Sequence, residues 1–149
     1  MDTPKRLENA LSKLYKAFNG DTLNPECCVQ CAVGNICDNK DNWKHFSDFH
    51  GSLQLNYVGL VHQRLGRTIQ GYTPQQLLEI EAVFLKSCGF SIPLNRNGKK
   101  PVNPTSKETL FKGLCAVVAY LCALDGVDNV MDYTRMFETG IERLQLEYN

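Results

Sequence analysis

The sequence predicts an all-α fold, an irregular bundle of six or seven helices with no sheet. Three observations carry that expectation. Apolar residues recur at spacings of three and four along most of the chain, helix start and stop signals bracket those stripes, and no segment sustains the period-two alternation of a strand.

The elements follow in order. Thr3 and Pro4 open a first helix whose stripe is Leu7, Leu11, Leu14 and Phe18, and Gly20 closes it. Asn24-Pro25 repeats the start signal for a second helix with Val29, Ala32, Val33 and Ile36 on its apolar face. Asp41 starts a short third helix through Trp43, Phe46 and His50, ended by Gly51. Ser52 opens a fourth to about Leu65; its apolar residues spread round the axis, which predicts a central helix. Thr73-Pro74-Gln75-Gln76 is a capping box for a fifth, with Leu77, Ile80, Phe84 and Cys88 on one face and Gly89 as its stop. Thr105 with Glu108 predicts a similar start for a sixth, the most apolar, ending before Gly126. Val130, Tyr133, Phe137, Ile141, Leu144 and Tyr148 form the stripe of a seventh.

The chain is 149 residues long, and 1–149 reads as a single helical domain. Sixteen Lys and Arg balance sixteen Asp and Glu, which argues against a nucleic-acid partner. The longest apolar run, Leu114 to Leu124, is too short for a membrane span. The N-terminus lacks a signal-peptide pattern, so a cytoplasmic location is expected. The last 25 residues hold six acids and two basic residues, a candidate docking surface for a protein partner on the acidic final helix. Arg96, Lys99 and Lys100 lie in a loop without acids, a candidate for an anionic ligand.

Four of the seven cysteines, Cys27, Cys28, Cys31 and Cys37, crowd into eleven residues. On a helix, Cys27, Cys28 and Cys31 share one flank, within reach of one metal ion. Cys28-x2-Cys31-x13-His45-x4-His50 comes close to Cys2His2 zinc spacing. The candidate metal ligands are therefore Cys28, Cys31, His45 and His50, with Cys27 in reserve. Zinc is the expected ion on ligand grounds and iron is second. Asn35, Trp43 and His62 are candidates to support that site, although His62 falls on an apolar arc and reads first as a core histidine. A metal site, a thiol redox pair and simple packing of small apolar thiols are the three readings of the cluster. A start-of-helix position would lower the pKa of Cys28 and Cys31. Cys88, Cys115 and Cys122 read as structural. No flavin, NAD or iron–sulfur motif is present in the sequence, and a non-catalytic helical interaction protein is the rival class to a metal or thiol protein.

Several segments together carry a resemblance: Leu23-Asn-Pro-Glu-Cys-Cys-Val-Gln-Cys-Ala-Val-Gly-Asn-Ile36, Trp43-Lys-His-Phe-Ser-Asp48, His50-Gly-Ser-Leu-Gln-Leu-Asn-Tyr-Val-Gly-Leu-Val-His62, Gly71-Tyr-Thr-Pro74 and Leu110-Phe-Lys-Gly-Leu-Cys-Ala116. Over nearly its whole length the chain resembles a family of small bacterial helical proteins that carry the label of a sodium-translocating NADH:quinone reductase component, or like it. What the resemblance implies is the motif, Cys28, Cys31, Asn35, Trp43, His45, His50 and His62. The reductase component of that name carries a membrane anchor, a plant-type [2Fe–2S] domain and flavin and NADH domains, and the resemblance implies none of these here. A second likeness is to helical proteins of the alkylhydroperoxidase D type, with Cys-x-x-Cys-x-x-x-His; Asn35 stands where that pattern has its histidine.

Overall fold

The computed structural model describes residues 4–129. The expected final helix, with the acidic surface assigned to it, lies outside the described residues. Within them the architecture is all-α: α1 (Lys5–Asn19), α2 (Ala32–Ile36), a 3-10 helix (Asn42–Phe46), α3 (Tyr57–Arg64), α4 (Pro74–Cys88) and α5 (Lys107–Leu124). No strand occurs among the described residues, only an isolated bridge between Ile69 and Tyr72. No helix of the described residues is long and apolar enough to cross a membrane.

The apolar stripes become the core. Leu7, Leu11 and Leu14 of α1 are buried, with Ala10 and Ala17 between and beyond them. α4 is set by the capping box that its sequence announces: Gln76 N–H donates to Thr73 Oγ1 at 3.2 Å, and Thr73 N–H donates to Gln76 Oε1 at 3.0 Å. It ends at Gly89, whose φ of 105° turns the chain out of the helix. The packing of α4 against α5 forms the centre of the molecule, with Leu77, Ile80, Phe84 and Leu85 from one helix and Leu114, Val117, Val118 and Leu121 from the other. α5 is capped by Ser106, which accepts from Thr109 N–H, so the start falls one residue after the expected Thr105.

Three expectations are corrected. The second helix begins at Ala32, not after Pro25; Cys27 and Cys28 lie in turns ahead of it and Cys31 is its N-cap. Side-chain amides hold the preceding loop by taking its carbonyls: Asn35 Nδ2 donates to Gln30 O at 2.8 Å and Cys31 O at 3.0 Å, and Asn39 Nδ2 donates to Val29 O at 2.8 Å. The third helix is a 3-10 turn that stops at Phe46, so His50 sits beyond it. The fourth starts at Tyr57, capped by Asn56, whose Oδ1 accepts from Gly59 N–H at 2.8 Å. That helix is not central: Tyr57, Val58, Leu60, Val61 and Leu65 are exposed and only Gly59 is buried. The apolar arc looks central in sequence because periodicity records how many sides are apolar, not which neighbours cover them.

One glycine lets the cysteine turn lie against α2. A Cβ on Gly34 would meet the carbonyl oxygen of Cys28 at 2.4 Å and the carbonyl carbon of Val29 at 2.6 Å, both main-chain atoms that cannot rotate aside. Gly34→Ala is expected to destabilise the protein by about 1–3 kcal/mol through overpacking, read as a lower urea midpoint. Equal or greater stability of that variant would refute the close approach.

Candidate metal centre

Three segments meet at one point. Cys31 comes from the start of α2, His50 from the segment after the 3-10 helix and Glu81 from the middle of α4. One ligand atom from each lies within 4.8 Å of the other two. Cys31 and Glu81 have no exposed surface, and the His50 side chain retains 14 %.

Glu81 organises the point. Its Oε1 accepts from Val33 N–H at 3.2 Å, satisfying one of the unpaired donors at the start of α2. Its Oε2 lies 2.7 Å from His50 Nε2. The Cys31 sulfur accepts from Gly34 N–H at 3.3 Å as the cap of the same helix, and its thiol donates to Cys28 O at 3.6 Å. Trp43 braces both sides: its indole N–H donates to Cys28 O at 3.2 Å and its ring meets His50 edge-on with centroids 5.6 Å apart. His50 is anchored from behind, where its carbonyl accepts from Leu94 N–H at 2.8 Å. Gly51, at φ 89°, makes the turn that lets the Leu94 segment approach.

The sequence-predicted residues divide accordingly. Cys31 and His50 are brought together. Cys28 lines a cleft of ≈ 530 Å³ with His50, Trp43 and His45, but its sulfur is outside the close group. Cys27 is half-buried in the preceding turn, and His45 is exposed on the cleft rim. Asn35 and Trp43 hold the Cys28–Cys31 turn through their hydrogen bonds to its carbonyls. His62 is not a core residue; it is half-buried and packs on Phe46 at the edge of a second cleft. None of the seven cysteines forms a disulfide, and Cys88 and Cys122 are buried as expected, with Cys115 half-buried.

Sequence reasoning missed Glu81. The signal is there: Glu81 follows Leu77 by four and precedes Cys88 by seven, which places an acid inside the apolar stripe of α4. A charged residue on a buried face needs specific partners, and that need points to a polar site against α4.

The expected lowering of the thiol pKa values is also corrected. Burial pushes the Cys31 thiol well above its ordinary value, and the Glu81 carboxylate adds to the rise; the Gly34 N–H opposes it without prevailing. Burial likewise raises Cys28, with Lys44 opposing. α2 is five residues long, so the dipole at its start is small beside the cost of desolvating a thiolate. Mass spectrometry after iodoacetamide treatment of the native, metal-free protein at neutral pH is expected to find Cys31, Cys37, Cys88 and Cys122 unmodified until denaturant is added. Modification of Cys31 in the folded chain would show a reachable, activated thiol instead.

Comparison with protein-family models, with curated proteins and with solved structures finds no match to this chain.

Proposed function

We propose that the protein is a metal-binding helical protein whose centre is Cys31, His50 and Glu81, with zinc as its ion and iron second. The supporting observation is the convergence of a thiol, an imidazole and a carboxylate from three separate segments within 4.8 Å. Sulfur, nitrogen and oxygen donors together suit a borderline ion such as zinc. Tetrahedral zinc at its usual bond lengths needs donors about 3.3–3.8 Å apart. The 2.7 Å contact between His50 and Glu81 would therefore open slightly, and the thiol would lose its proton.

Cys28 is the side chain best placed to complete four ligands. It lines the cleft beside His50 and lies near enough to Glu81 for the carboxylate to raise its pKa. Four protein ligands make a closed, structural centre, tying the cysteine turn and α2 to the His50 segment and to α4. A thiol redox role has less support, because burial disfavours the thiolate at both Cys28 and Cys31. A second reading has its own observation: Glu81 also bonds Val33 N–H, so the cluster can serve as a buried hydrogen-bonded link with no ion at all.

Elemental analysis and a competition titration separate the two. On the metal reading one zinc binds per chain, and binding raises the melting temperature. Glu81→Gln and His50→Ala lose at least about tenfold in affinity, whereas Cys115→Ser loses none. Because the buried Cys31 thiol is protonated at neutral pH, zinc must displace that proton. Apparent affinity should therefore rise about tenfold per pH unit for each proton released. A protein that takes up no zinc, and whose melting temperature is the same with zinc as with chelator, would leave only the hydrogen-bonded link.

A further inference from the structure

A second cleft, of ≈ 690 Å³, lies between α3, the 3-10 helix and the turn that follows α3. Its volume is that of small-molecule sites, which are mainly apolar with a few convergent polar groups. Phe46, Val58 and Ile69 supply the apolar lining, and His45, His62 and Arg67 the polar one. The His62 ring packs on Phe46, with centroids 5.2 Å apart, and its Nδ1 lies 3.5 Å from Arg67 Nη1. The described lining contains no carboxylate. Among the described residues no acid forms an ion pair with Arg67.

The turn carrying Arg67 is set by the backbone. Arg67 N–H donates to His62 O at 3.1 Å, Gly66 N–H donates to Gln63 O at 3.1 Å, and the Ile69–Tyr72 bridge closes the far end. A guanidinium on a fixed turn beside an apolar wall selects for charge and shape together. Its planar fork matches a carboxylate, while the wall rewards an aromatic or aliphatic body. Little ordering is needed on binding when the wall is already in place.

We propose that this cleft binds a small apolar molecule bearing a carboxylate, with the carboxylate on Arg67 and the apolar body against Phe46, Val58 and Ile69. The inference stands apart from the metal reading, since none of the three converging ligand residues lines this cleft.

The test uses the full chain and two probes of one shape, 2-naphthaleneacetate and its neutral counterpart 2-(2-naphthyl)ethanol, followed by calorimetry and by amide shifts in NMR spectra. The acid is expected to bind at least about tenfold more tightly than the alcohol, with shifts at Val58, His62, Arg67 and Ile69. Arg67 is exposed, so Arg67→Gln should fold normally by circular dichroism; it is expected to weaken the acid about tenfold and leave the alcohol unchanged. Ile69→Trp, which fills the cleft, should exclude both probes. Three results would overturn the proposal: equal affinity for acid and alcohol, an acid affinity unaltered in folded Arg67→Gln, or shifts that map away from this cleft. Absence of binding by the acid at millimolar concentration would overturn it as well.

Discussion

A carboxylate without exposed surface must find its partners inside the protein, and Glu81 finds one on each side. One oxygen takes the Val33 N–H at the start of α2 and the other meets the His50 ring. These contacts join segments far apart in sequence, and both must form together for the carboxylate to be satisfied. Removing one partner from a buried polar group costs about 1–3 kcal/mol, more when the group is charged. The same condition therefore fixes the register of the cysteine turn against α4 and the placement of His50. The apolar helices supply most of the driving force for folding; Glu81 specifies how the two irregular segments sit on them.

Those segments are built to present side chains at fixed positions without regular secondary structure. Asn35 and Asn39 take the carbonyls of the loop before α2, and Trp43 takes Cys28 O. Gly34 allows the turn to touch the helix, and the Leu94 contact holds His50 from the opposite side. Lys13 of α1 closes the other end of α2 by donating to Ile36 O at 3.0 Å. A five-residue helix has little stability of its own. It persists because each end is satisfied by a side chain from a longer element.

The long helices are legible in the sequence because their signals are local. The stripe Leu7, Leu11, Leu14 and the box Thr73-Pro74-Gln75-Gln76 state both face and boundary. The region from Asn24 to Tyr57 is less legible, because its structure is decided by contacts made at a distance. Asn24-Pro25 reads as a helix start, yet the loop is held by Asn35 and Asn39 further on. α3 reads as central although Gly59 is its one buried residue. Cys31 and His50 stand out from residue type and spacing. Glu81 escapes that test because its partners Cys31 and His50 lie far from it in sequence; only its place on the buried face of α4 marks it. The raised thiols follow from the same cause, since burial is a property of the packed chain.

Sulfur, imidazole and carboxylate within one buried space form either a metal centre or a hydrogen-bonded link, and the coordination shell separates the two most directly. X-ray absorption at the zinc edge of the reconstituted protein is predicted to show sulfur at about 2.3 Å together with nitrogen or oxygen at about 2.0–2.2 Å. Cys31→Ser should remove one sulfur from that shell. A shell of nitrogen and oxygen alone, or a spectrum unchanged in Cys31→Ser, would contradict a centre built on Cys31, His50 and Glu81.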